Sequence, residues 1–129
     1  MATLSYFEEL AIWQQARQYN RGIFKISNSG DFGKDYRMKS QICAAAGSIM
    51  DNIAEGFERE GNKEFIQFLY IAKGSCGETR SQLYRASDNG YIDEDTFNFL
   101  KGKSLELSKS IANFIQYLKN SEYKGNKYM

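Results

Sequence analysis

The stretch QICAAAGSIMDNIAEG, residues 41–56, decides the reading of the chain. Ile42, Ala45, Ile49 and Ile53 recur in it at steps of three and four, the spacing that lines one side of a helix with apolar groups. Beside them, Gln41, Ser48, Asn52 and Glu55 follow at steps of seven, four and three, so a polar line borders the apolar one. Asp35 is placed to cap this helix by accepting an orphan backbone N–H of its first turn. The pattern then runs to Glu55, with Gly56 as its stop. A helix with a single apolar stripe is stable only when that stripe is buried against neighbouring elements, and the flanking sequence supplies three.

On the N-terminal side, Phe7, Leu10, Trp13, Ala16, Ile23 and Phe24 predict a helix over residues 6–27, closed by a run of Ser, Asn, Gly and Asp over residues 27–33. On the C-terminal side, Asn62 is expected to cap a third helix. Its inward face reads Phe65, Phe68, Leu69, Ala72, Cys76, Thr79, Leu83 and Ala86, with Asn89 and Gly90 as its close. Asp93 opens a fourth, with Glu94 and Asp95 near the positive end of the helix dipole and Lys109 and Lys119 toward the other end. Its seam reads Phe97, Leu100, Ser104, Leu107, Ile111, Phe114 and Leu118. Four amphipathic helices joined by short loops bury their stripes most simply as an all-α, antiparallel, up-down-up-down four-helix bundle over residues 1–120, leaving residues 121–129 as a flexible tail.

Composition narrows the function. With 17 basic and 16 acidic residues the formal net charge is +1, so any nucleic-acid contact must come from a local patch. The chain has no proline and no histidine, which favours helices and removes the residue most used for proton transfer near neutral pH. Without histidine the Glu-x-x-His di-metal site of helical bundles cannot be built, and Cys43 and Cys76 lack a neighbouring base. No glycine loop for phosphates is present. The expectation is therefore no enzyme, no metal and no cofactor. An enzyme using Asn52, Glu55, Ser75 and Glu78 would need a deep pocket converging on all four. No apolar run approaches the roughly 20 residues of a membrane span, the N-terminus does not read as a leader, and the unpaired cysteines suit a reducing cytoplasm.

Several residues are candidates for more than packing. Ser75, Glu78 and Gln82 form a second polar line on the third helix. The two lines face each other either to hydrogen-bond and fix helix register, or to form a pocket or subunit contact. Gly47, Gly74 and Gly77 interrupt helices at a cost of about 1 kcal/mol each, which predicts close approach of the second and third helices around Ala44, Ala45, Ala46 and Cys76. Arg17, Arg21 and Lys25 form a basic stripe, and Lys73 and Arg80 lie seven apart, so these are the candidate phosphate contacts. Tyr19, Tyr70 and Tyr84 are candidates to stack on bases. Tyr, Phe and Trp make up 15% of the chain, more than one small core needs, so some are expected at subunit contacts.

The run over residues 41–56, followed by KEFIQFLYIAKGSCGE at residues 63–78, resembles the four-helix-bundle proteins encoded within intervening sequences of bacterial 23S rRNA genes. The likeness rests on Gln41, Ser48, Ile49, Asn52, Ile53, Ala54, Glu55 and Gly56, then on Lys63, Glu64, Phe65, Phe68, Leu69, Ala72, Gly74, Ser75 and Glu78. It extends to the start at Phe7, Leu10 and Trp13 and to the turn at Gly90, Tyr91 and Ile92. The resemblance implies a ring-like homopentamer and a similarity to the basic accessory proteins of reverse transcriptases in diversity-generating retroelements. It also implies an RNA-associated scaffold whose partner is RNA or an RNA-handling protein. Two departures stand out: Cys43 and Ala44 replace the family's usual basic pair, and Met50 its usual proline. The first shifts the expected phosphate contacts to Arg17, Arg21, Lys25, Lys73 and Arg80, and the second predicts a straighter second helix. The alternative is a protein–protein adaptor that presents apolar and tyrosine-rich surface without nucleic acid.

Overall fold

The computed structural model describes residues 4–121 of the chain, so the tail expected over residues 121–129 lies, apart from Ser121, outside the described residues. Four helices make up the fold: α1 (Ala11–Ser27), α2 (Tyr36–Glu58), α3 (Asn62–Asp88) and α4 (Glu94–Lys119). Two short 3-10 turns, Phe7–Glu9 and Phe32–Lys34, precede α1 and α2, and there is no strand among the described residues. Cross-helix contacts run in opposite chain order. Met38 meets Asn89, Ser48 meets Ser75, and Phe57 meets Phe65, so α2 and α3 are antiparallel. Asn62 meets Leu118, Cys76 meets Ser104, and Tyr84 meets Phe97, so α3 and α4 are too. Packing of α1 on both α2 and α4 closes the bundle around a continuous apolar core.

Local chemistry explains most of the boundaries. The Asp35 carboxylate accepts from the Met38 N–H at 3.1 Å and from the Tyr91 hydroxyl at 2.8 Å, as a cap at once for α2 and for its junction with the α3–α4 turn. Those two bonds hold its carboxyl below the usual carboxylate range, the backbone bond contributing most. Asp93 caps α4 through the Thr96 N–H in the same way. At the end of α3, Gly90 has φ 75°, and the N–H groups of Gly90 and Tyr91 return to the carbonyls of Ser87 and Ala86, the paired bonds of a Schellman close.

Several boundaries and core positions differ from the expectation. The first helix begins at Ala11 rather than at residue 6, because the Glu9 carboxylate turns back to accept from the N–H groups of Ser5 and Tyr6 and Leu10 then takes an extended conformation. The 3-10 turn preserves the three-residue spacing of Phe7 and Leu10, which is why periodicity alone ran through it. The second helix continues past Gly56 to Glu58, since one more turn places Phe57 in the core, edge-on to Phe65 at 6.2 Å between ring centroids. Asn62 does not cap α3. Gly61, at φ 87°, occupies that place, while Asn62 is buried inside the first turn and donates to the Leu118 carbonyl at 3.2 Å. On α4, Ile115 is buried where Phe114 was expected, and Phe114 packs at the margin of the core. On α1, Phe24 is exposed and Ile12 buried.

The glycines also redistribute. Nothing lies within 4 Å of where a Cβ would stand on Gly47 or Gly74, and only the Arg80 side chain comes that near on Gly77. Close helix approach is instead enforced at Gly56, where a Cβ would sit 2.7 Å from Phe65 Cδ1 and 2.8 Å from Phe68 Cβ. Gly56→Ala is therefore expected to destabilise the bundle by about 1–3 kcal/mol through overpacking. Gly47→Ala is expected to stabilise it by about 0.5–1 kcal/mol, because only chain entropy changes. Urea unfolding of the two variants beside the unsubstituted chain measures both, and equal effects of one sign would contradict this assignment.

Candidate functional site: a polar groove and a basic helix face

The two polar lines of α2 and α3 meet at mid-length. Asn52 Nδ2 donates to the carbonyl and the hydroxyl of Ser48 at 2.8 and 2.9 Å, and Ser48 Oγ lies 3.0 Å from Ser75 Oγ. Above this contact the small residues Ala44 and Ala45 leave an open groove of about 450 Å³, which Gln41, Glu78, Gln82 and Arg85 also line. Small side chains here thus give both the close mid-length contact of α2 and α3 at Ser48 and Ser75 and the groove beside it. Glu55 does not join it. Its carboxylate turns along α2 to the Arg59 guanidinium at 2.8 Å. Gln82 is the unusual member, only 6% exposed and with its Oε1 unpaired among the described residues. Arg85 was missed by sequence reasoning, although its place three residues after Gln82 put it on the same line.

A second polar cluster sits inside the bundle. Thr79 Oγ1 donates to the Cys76 carbonyl at 2.7 Å, so the Tyr19 hydroxyl, 2.8 Å away, must be the donor of that pair. Cys76 Sγ and Ser104 Oγ each donate to the other residue's carbonyl, and Arg80 Nη1 donates to Ser104 Oγ at 3.1 Å. Tyr19, at 4% exposure, is therefore a core residue and not a stacking platform, and Arg80 extends into the seam of α3 and α4 rather than toward a phosphate. Burial pushes up both the Tyr19 phenol and the Cys76 thiol, which keeps the thiol protonated and unreactive. The other tyrosines are engaged as well. Tyr70 accepts from Lys119 Nζ at 2.8 Å, and Tyr84 is edge-on to Phe97 at 4.8 Å. Among the described residues no three Cys, Asp or Glu side chains stand where they could hold a metal ion.

The basic residues divide between faces. Arg17, Arg21 and Lys25 are all exposed along α1, a helix that contains no Asp or Glu. None of the three forms an ion pair with another described residue, although the Arg17 guanidinium lies over the Trp13 ring at 5.8 Å. Lys73 is half-buried on α3, on the same side as Arg80, so the structure does not bring these two together with the α1 stripe. What remains is one compact cationic face of three residues.

Residues 8–113 match the family described as 23S rRNA-intervening sequence protein. A crystal structure from Bacteroides thetaiotaomicron, described as a protein with unknown function from the S23 ribosomal protein family, superposes with a TM-score of 0.75 at 23% identity. The match covers 82% of this chain and 99% of that one, and supports the four-helix fold. Among curated proteins none matches.

The Tyr19 hydroxyl gives a measurable signature. Because its folded pKa is raised above the ordinary 10.0, the native state holds the proton more tightly, and the stability it contributes is full below pH 10 and declines as pH rises beyond it. Tyr19→Phe is expected to cost about 0.5–1.5 kcal/mol at neutral pH, the net worth of one hydrogen bond, and to flatten the alkaline loss. Denaturant melts between pH 8 and about 11 read both effects, and an unchanged alkaline slope in the variant would contradict the burial of this hydroxyl.

Proposed function

The chain belongs to the 23S rRNA-intervening sequence protein family, and from that premise we propose that it is a non-enzymatic helical oligomer that holds RNA, with the outer face of α1 as its phosphate contact. The single observation that carries this reading is the exposed row of Arg17, Arg21 and Lys25 on a helix free of acidic residues. Successive members of the row stand four residues apart, a rise of about 6 Å, so they can neutralise neighbouring phosphates of one strand. A net charge of only +1 makes a single subunit a weak binder, and assembly into a ring, as a pentamer, would repeat the row and multiply its effect. Exposed Phe24, Tyr36 and Leu105 offer apolar surface for such subunit contacts. The same surface supports the second reading, a protein–protein adaptor without nucleic acid. No described helix is long and apolar enough to cross a membrane, and the two free cysteines support a reducing, cytoplasmic location.

Fluorescence anisotropy with a structured RNA, titrated from about 50 to 200 mM salt, tests the proposal. Replacing Arg17, Arg21 and Lys25 together by alanine is expected to weaken binding and to lower the slope of log affinity against log salt by about 2–3. Absence of binding at the lowest salt, or an unchanged slope in the triple variant, removes RNA from the account. A partner protein retained in a pull-down after nuclease treatment then favours the adaptor.

A further inference from the structure

Beside the basic row lies a groove between α1 and α4 of about 410 Å³, within the range of roughly 300–1,000 Å³ typical of small-ligand clefts. Its floor is Tyr19, Gly22 and Leu100, and a Cβ on Gly22 would already lie 3.2 Å from Leu100 Cδ2, so a side chain there would begin to fill the cleft. On one rim stands Phe99, 63% exposed, with the Lys103 Nζ over its ring at 5.4 Å from the centroid and no aromatic ring packed on it among the described residues. On the other stand Gln15 and Gln18, whose amides make no hydrogen bond to the rest of the described protein. Lys103 and Glu106 close the groove as an ion pair at 3.6 Å.

We propose that this groove is a slot for one unstacked nucleobase of a single-stranded RNA whose phosphates lie along Arg17, Arg21 and Lys25; the proposal rests on the RNA-holding function and gives it a mode. Three observations converge on that occupant. The Phe99 face is a stacking platform of the kind that single-stranded nucleic acids use, indifferent to base identity because every base has a π-face. Each glutamine amide offers a donor and an acceptor together, the combination that the edge of a base presents. The charges set the direction. Gln18 directly follows Arg17 and Gly22 directly follows Arg21, so each is about 100° round the helix from its arginine. Cations flank the groove on its α1 side, while at the α4 side the Lys103 ammonium and the Glu106 carboxylate offset each other, so the net positive charge lies with α1. A strand with its backbone on the arginines therefore turns its bases toward Phe99. An RNA double helix cannot use the slot, because its bases are stacked and its major groove is too narrow for side chains to read.

The test is binding of a short oligoadenylate RNA by anisotropy, with solution mass measured in parallel. Phe99 is exposed, so Phe99→Ala should leave the fold intact, and it is expected to lose about 5- to 100-fold in affinity with its salt slope unchanged. Phe99→Tyr should retain binding, and Asn113→Ala, an exposed change on the same helix outside the groove, should have no effect. If Phe99→Ala binds like the unsubstituted protein while the triple α1 variant weakens, the slot is wrong and the phosphate contact stands. No binding of the oligoadenylate at low salt overturns the slot, while the phosphate contact stands or falls with the structured RNA. A change of solution mass in Phe99→Ala makes the groove a subunit contact and overturns the slot.

Discussion

The bundle turns on a constraint at its mid-height: polar groups of Tyr19, Thr79, Cys76 and Ser104 lie inside the apolar core and must find one another there. An unpaired polar group in that position costs about 1–3 kcal/mol, whereas a slipped helix that merely exchanged one aliphatic contact for another would cost less. Only one register of α1, α3 and α4 joins the phenol to the threonine while letting the thiol and the serine reach each other's carbonyls. Apolar stripes make the helices associate, and this cluster determines how far each slides along its neighbours. Arg80 completes it from the edge, bonding Ser104 through a guanidinium whose stem lies over the seam.

The second helix has no part in that cluster and is located by different means. Its last turn passes so close to Phe65 and Phe68 that only glycine fits at residue 56, and its first turn is tied through Asp35 to Tyr91 beyond the end of α3. Between these fixed ends α2 meets α3 through Ser48 and Ser75, and a polar groove lies beside that contact. The family signature in α2 is thus divided: part of it, at Ile49, Ile53 and Gly56, serves packing, and part, at Gln41, Ser48 and Asn52, borders the groove.

Surfaces with chemistry arise on the outer face of α1 and at the seams where two helices meet. An arginine placed on an open face, as Arg17 and Arg21 are, stays exposed and makes no ion pair among the described residues, while one placed at a seam bonds the neighbouring helix, as Arg80 does.

The helices, their order, the cap at Asp35, the start of α4 at Asp93 and the close at Gly90 were legible in the amino-acid sequence, because each depends on residues a few positions apart whose geometry the backbone dictates locally. The apolar stripes were legible for the same reason, as was the meeting of Ser48 with Ser75 once antiparallel neighbours were assumed. Which glycine marks a close approach was not, since Gly47 and Gly56 look alike until Phe65 is placed across from one of them. Nor was the burial of Tyr19 or the inward course of Arg80, because a half-polar side chain at the border of a stripe goes inward or outward according to what faces it from another helix. Sequence by itself therefore determined the helices and their order, the fold class and the family, though not every helix end. Tertiary structure alone decided which border residues are core, which groove is open and which cations remain free, because those depend on distances between residues far apart in the chain.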